Sequence, residues 1–248
     1  SHPDVKIEAV VDTSTTVLSL INKYLDGIRT YTDYNKLFEE EYLDAVIIST
    51  PPLVHSPIAT KAAEKGIHIF CEKPFTINKK KASELATIFE KKELINQVGY
   101  VNRFNDIFKT VKKYLDKDVI GKVIRFKSEM YSRTITKSQK GKTWRDSREK
   151  GGGALFEVAS HAIDLVNFLI GKPDKVTGSC LTSIFSKNVE DAVNATFLYK
   201  NGTSGTLNVN WSDESFRKPT NKIEIFGSNG KILADQHGIK YFMKKSSP

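Results

Sequence analysis

The chain has 248 residues, 39% of them hydrophobic and 27% charged, which is the composition of an ordinary globular protein long enough for one large domain or two modest ones. Its formal charge of +9 comes from 38 basic residues against 29 acidic ones, scattered in short groups over amphipathic segments; this argues against a nucleic-acid partner and leaves steering of an anionic substrate as a use for the excess. No apolar run approaches the roughly 20 residues of a membrane span and no signal peptide opens the chain, so no membrane partner and a cytoplasmic location are expected, while Cys71 and Cys180 lack the paired spacing of a disulfide or zinc framework.

Residues 5–11 form a β-branched, mostly apolar run that ends at Asp12, and residues 13–24 read as a helix capped by Thr13 or Ser14. In dinucleotide-binding folds a carboxylate at a strand's end accepts hydrogen bonds from the adenine ribose, and the glycine fingerprint lies about 20 residues before it. Counting back from Asp12 runs off the start. Either Asp12 is a helix-capping turn residue, or the sequence opens after the first strand and glycine loop of such a domain.

The next segments alternate: helix 33–40, strand 45–49, helix 56–65 closed by Gly66, strand 67–71 and helix 78–92. That rhythm predicts a parallel sheet wrapped by helices, with ligands at the carboxyl ends of its strands. The unusual residues fall at those ends. Thr50-Pro51-Pro52 and His55 follow one strand, and Glu72-Lys73-Pro74 follows the next. A lysine between a carboxylate and a proline fits either a functional ammonium or half of an ion pair with Glu72.

Beyond a helix at 106–115 the pattern changes to strands at 122–131, 176–185, 192–199, 203–211, 222–226 and 231–234, with Asn201-Gly202 and Asn229-Gly230 as hairpin turns. Among them lies Gly151-Gly152-Gly153 and a helix running to Gly171, with Pro173 preventing its resumption. Leu155, Val158, Ala162, Leu165, Val166 and Leu169 give this helix a buried stripe. Glu157, Ser160, His161, Asp164 and Asn167 form a second, polar stripe, which is costly in a core unless paired or lining a cavity. The helix alone is compatible with a structural Glu–His pair and with chemistry.

Taken in order, Thr50-Pro51-Pro52-x-x-His55, Glu72-Lys73-Pro74, Asn102-Arg103-Phe104, Trp144-Arg145 and Gly151-Gly152-Gly153-x-Leu155-x-Glu157-x-x-x-His161-x-x-Asp164 resemble the glucose-fructose oxidoreductase, inositol dehydrogenase and rhizopine-catabolism (Gfo/Idh/MocA) family. The resemblance implies an α/β fold: a Rossmann-type dinucleotide-binding domain over residues 1–99, lacking its first strand and glycine loop here, and an α+β domain over 100–248 with a large, mostly antiparallel sheet. Relative to that plan the chain looks short at both ends. The implied activity is hydride transfer between nicotinamide and a secondary hydroxyl of a sugar, polyol or nucleotide-sugar.

On the same resemblance, Asp12, Thr50, Pro51, Pro52, His55, Glu72 and Lys73 would line the cofactor. NAD is favoured over NADP, because a 2′-phosphate would meet the Asp12 carboxylate. Lys73 would bond the reacting hydroxyl, and His161, an imidazole with an ordinary pKa near ~6.5, would take its proton. Asn102, Arg103, Trp144 and Arg145, with Glu157 and His161, would hold the sugar, an indole offering a flat face and an arginine forked donors, and Glu157 would join Lys73 and His161 in catalysis by binding substrate or orienting His161. Glu157 stands where the family usually carries Asp and Ala159 where Gly is common; the extra methylene displaces a carboxyl by about 1 Å unless the helix adjusts. An open apolar sheet face would pair subunits into a homodimer or homotetramer. Three other readings share these residues: an NAD-dependent glycosidase that restores its cofactor each turnover, a non-catalytic sugar- or dinucleotide-sensing regulator, and a metal site of Glu157, His161 and Asp164, against which the lack of clustered histidines argues, so no metal is expected.

Overall fold

The computed structural model describes residues 3–136 and 144–244. The chain divides into two compact units, residues 1–50 with 54–98, and residues 51–53 with 99–248.

The first unit runs β1 (Ala9–Val11), α1 (Thr15–Tyr24), β2 (Arg29–Tyr31), α2 (Tyr34–Glu40), β3 (Ala45–Ile48), α3 (His55–Glu64), β4 (His68–Cys71), α4 (Lys79–Lys91) and β5 (Asn96–Val98). Ser14, Asp33 and Asn78 start α1, α2 and α4 by accepting a first-turn amide with a side-chain oxygen. All strand pairs are parallel, β1 with β2 and β3-β4-β5 in that order. Phe38, Ile48, Ala59, Ala62, Ile69, Leu85 and Phe89 form the core of this Rossmann-type unit.

Two details differ from the sequence expectation. Strand β1 covers only the end of the predicted run 5–11, because its partner β2, which periodicity did not reveal, offers only three residues of register, Ala9↔Arg29 to Val11↔Tyr31. The apolar run of β3 is not buried throughout: β1 and β3 each have one strand neighbour, and Ile47 is 77% exposed.

The second unit holds α5 (Asp106–Asp116), β6 (Val123–Tyr131), a π-helical turn (Leu155–Ala159) leading into α6 (Ser160–Leu169), then β7 (Lys175–Thr182), β8 (Ala192–Leu198), β9 (Ser204–Asn210), β10 (Thr220–Gly227), β11 (Gly230–Asp235) and β12 (Gly238–Met243). The seven strands order as β12-β11-β10-β6-β9-β8-β7, antiparallel except for the β6–β9 pair. This is the large, mostly antiparallel sheet expected, and both Asn-Gly pairs connect antiparallel neighbours. Strand β12 was not foreseen. Strand β7 stops at Thr182, not 185, because Asp191 draws the amides of Ile184, Phe185 and Ser186 out of the ladder.

Helices α5 and α6 cover one sheet face through Phe108, Val111, Leu165 and Val166, packed with Leu207, Trp211, Ile223 and Ile225. The other face was expected to be apolar and is instead mostly polar, with Phe226 and Phe242 among its few apolar residues. Strict alternation sends the branched residues of β8, β9 and β10 inward and leaves Lys127, Asn194, Thr206 and Lys222 exposed.

Gly205 of β9 stands in register with Phe126 on one side and Phe197 on the other, and a β-carbon there would lie 2.2 Å from the Phe126 ring. Gly205→Ala is therefore expected to cost about 2 kcal/mol of stability by overpacking. A urea midpoint equal to that of the parent protein, at unchanged slope, would contradict this packing.

Candidate active site

In the first unit the residues singled out by the sequence gather at strand ends. The amide of Asp12 continues the ladder to Tyr31 O at 3.1 Å, and its Oδ1 accepts the amide of Ser14 at 2.7 Å, so Asp12 does form the turn that opens α1. The amide of Glu72 donates to Ile48 O at 2.9 Å, one rung past β3 and β4, so Thr50 and Lys73 emerge from neighbouring strands. His55, wholly buried, ties these two turns together: Nε2 lies 2.8 Å from Thr50 O and Nδ1 2.8 Å from Pro74 O. A neutral ring donates to one carbonyl and an imidazolium to both. His55 thus stands beneath the turns rather than on their surface. Glu72 folds over its own turn, its Oε2 accepting the Lys73 amide at 3.3 Å, while Pro51 is exposed and Pro52 buried. Burial, with a smaller push from Glu72, raises the Cys71 thiol to about 12, so this cysteine is a small hydrophobe and not a nucleophile.

In the second unit the glycine run explains how Trp144 and Arg145 come to the helix. The amides of Gly152 and Gly153 donate to Ser147 O at 2.9 Å and Arg145 O at 3.0 Å. A β-carbon on Gly152 would sit 2.1 Å from Arg145 O, so only glycine permits this backbone-on-backbone approach. The turn so held aims Arg145 at the helix: its Nε and Nη2 both lie 3.2 Å from Glu157 Oε1, and its guanidinium packs over the Trp144 ring at 4.8 Å. The predicted Trp144, Arg145 and Glu157 form one cluster.

The helix itself departs from the single 3.6-residue period read from the sequence. Its first turn is π-helical: the amide of Ser160 reaches back to Leu155 O, while the Ser160 hydroxyl donates to Phe156 O at 2.7 Å. Glu157 lies on this widened turn, and His161 follows on α6. Tyr100, which no sequence pattern marked, meets the His161 ring edge-on with centroids 6.3 Å apart. Burial and then the Asp164 charge raise the Tyr100 phenol above its ordinary range, so it remains a donor at neutral pH.

Arg103 spends its fork on the helix. Nε and Nη2 donate to Asp164 Oδ2 and Oδ1 at 2.8 and 2.6 Å, and Asp164 is only 7% exposed. Asp164 is therefore paired with Arg103, and two donors of Arg103 are committed before any ligand arrives. Asn102 lies in the short turn Val101–Phe104 that presents Arg103. Asn167, on the same predicted stripe, instead lines a cavity of about 710 Å³ with Lys112, Asp116, Lys122 and Asn201, at the carboxyl ends of α5 and α6. None of the predicted site residues lines that cavity. Among the described residues no group of three or more His, Cys, Asp or Glu side chains is placed to hold a metal ion, and no helix is long and apolar enough to cross a membrane.

Comparison with known proteins agrees with this architecture. Residues 1–100 match the model of the oxidoreductase family NAD-binding Rossmann fold, and residues 108–233 match the GFO/IDH/MocA C-terminal domain. The chain belongs to the Gfo/Idh/MocA oxidoreductase family. It is 34% identical over 151 residues to an uncharacterized oxidoreductase of Schizosaccharomyces pombe, covering 61% of this chain and 40% of that protein. It is also 34% identical over 147 residues to the 2,7-anhydro-N-acetylneuraminate hydratase of Mediterraneibacter gnavus, covering 59% and 38%. The alignments thus span about two-fifths of these relatives. A solved levoglucosan dehydrogenase in complex with NADH and levoglucosan superposes with a TM-score of 0.85 at 20% identity, over 97% of this chain and 68% of the other, a likeness of fold.

Arg103→Lys keeps the charge but not the fork, leaving the Asp164 carboxylate short of a donor. The substitution is expected to cost about 1–2 kcal/mol, a buried-pair loss discounted for the exposed side of the guanidinium. A thermal midpoint equal to the parent's would show that the pair contributes nothing.

Proposed function

We propose that the protein is an NAD-dependent dehydrogenase acting on a secondary hydroxyl of a sugar, polyol or nucleotide-sugar. One observation carries the reading: parallel strands β3 and β4 present Thr50 and Lys73 side by side at their carboxyl ends, joined beneath by His55. Open parallel sheets bind their ligands at such ends. The donor set suits NAD: a carboxylate after β1, a hydroxyl after β3 and an ammonium after β4. Asp12 keeps Oδ2 for a ribose hydroxyl while Oδ1 holds the Ser14 amide, and its charge disfavours the 2′-phosphate of NADP.

NAD, when bound, supplies the hydride acceptor. Thr50, Pro51, Pro52 and Glu72 shape its rim. Lys73 donates to the reacting hydroxyl and stabilises the alkoxide that develops, and His161 removes the proton. Glu157 orients the substrate with Arg145, while Trp144 gives a sugar ring an apolar face and Asn102 and Arg103 complete the polar wall. Membership of an oxidoreductase family supports the reaction type. Free cysteines at 71 and 180 suit a reducing compartment, which supports a cytoplasmic location.

A second reading is favoured by the likeness to the hydratase: transient oxidation with the cofactor restored at each turnover, as in an NAD-dependent glycosidase. The two separate in one assay. Sugars, polyols and nucleotide-sugars are screened with NAD and NADP in the full-length protein, following reduced-cofactor absorbance and product together. Product formed with no net absorbance change selects the second reading. Lys73→Ala is expected to lower kcat/KM by about 10²- to 10⁴-fold with an unchanged circular dichroism spectrum. Turnover within a few-fold of the parent would remove Lys73 from the chemistry.

Assembly into a homodimer or homotetramer through the open sheet face belongs to the same proposal. Light scattering that gives a monomer mass at low salt would rule it out.

A further inference from the structure

The helix that carries Glu157 and His161 begins without a cap of its own. Gly153 has no side chain, and Ala154 has none that can accept a hydrogen bond. Helix starts leave amides that need acceptors, and here they are filled from a distant segment. Glu190, in the connection between β7 and β8, accepts the amide of Ala154 at its carbonyl (2.9 Å) and the amide of Leu155 at Oε1 (2.9 Å). Its carboxylate also faces the positive end of the helix dipole, and its Oε2 lies 3.6 Å from Arg148 Nη2. The fit is close: Gly153 has φ +106°, and a β-carbon there would fall 2.4 Å from Glu190 Oε1.

Glu190 is in turn held by its neighbour. Asp191, with no exposed surface, takes the Trp211 indole and the Ser186 hydroxyl on Oδ1, each at 2.6 Å, and the amides of Ile184, Phe185 and Ser186 on Oδ2. Burial opposes its charge, but bonds from Ser186, Trp211 and the amides together outweigh it and hold the carboxyl below its ordinary range. Its backbone is fixed on both sides, by Thr182 O at 2.8 Å and the Trp211 amide at 3.0 Å. Glu190 therefore acts from a rigid turn.

We propose that Glu190 is a positioning residue: by capping Ala154 and Leu155 from the turn that Asp191 locks, it sets the start of the π-helical turn and hence where Glu157 and His161 point. The inference rests on the proposed roles of those two residues in turnover, and one of its readouts does not depend on them.

The test uses Glu190→Gln, whose amide oxygen can still accept the Leu155 amide, and Glu190→Asp, which keeps the charge but is one methylene short. Ring signals of His161 are followed by NMR, assigned among the five histidines by loss in His161→Asn. The Gln variant should keep the parent's His161 signals and a kcat within about threefold. The Asp variant should shift those signals and lower kcat about 10- to 100-fold, as small misplacements of reacting groups do, with KM for NAD changed less than about twofold. Equal His161 signals in the Asp variant and the parent overturn the proposal, as does a Gln variant that loses as much as Asp. A parent protein without dehydrogenase turnover sinks the functional reading alone, because the His161 signals still decide the positioning role.

Discussion

Two absent β-carbons govern the second unit. A β-carbon at Gly152 would collide with the carbonyl of Arg145, and one at Gly153 with the carboxylate of Glu190. Side chains at either place would push apart three segments: the Trp144–Asp146 turn, the start of the helix and the β7–β8 connection. With glycine they close on one point. The Arg145 guanidinium then reaches Glu157, and the first helical amides find Glu190.

The first unit solves a similar problem with a ring. Strand ends are natural ligand sites because their backbone groups run out of partners there, but turns that hold a ligand must not move. His55 supplies the stiffness, one buried imidazole bridging the carbonyls of Thr50 and Pro74. The turn that carries Lys73 is thereby referred to its neighbour, and not to the surface.

The polar stripe on the helix is costly only if it is left unpaired, and much of it is not. Asp164 is neutralised by the Arg103 fork, Glu157 faces Arg145, and Ser160 bonds back to its own helix. The arginine donors are thus spent first on making these carboxylates tolerable. Glu157 sits on a π-helical turn, wider than an α-helical one.

Local chemistry made most elements legible. Ser14, Asp33 and Asn78 announce their helices, the two Asn-Gly pairs announce their hairpins, and alternation in β8 to β10 announces the buried face. The strand-end and helix motifs, read in order, were enough to recognise the family. Short strands such as β2 escaped because three residues carry no period, and the sheet's open face was misjudged because alternation had to be followed to its polar half. Tyr100 and Glu190 were beyond sequence reading: each meets its partner 61 or 35 residues away, respectively His161 and Leu155. Periodicity reports what a residue does within its own segment. Which carboxylate caps which helix, and which arginine is already paired, depends on non-local contacts that exist only once the chain has closed.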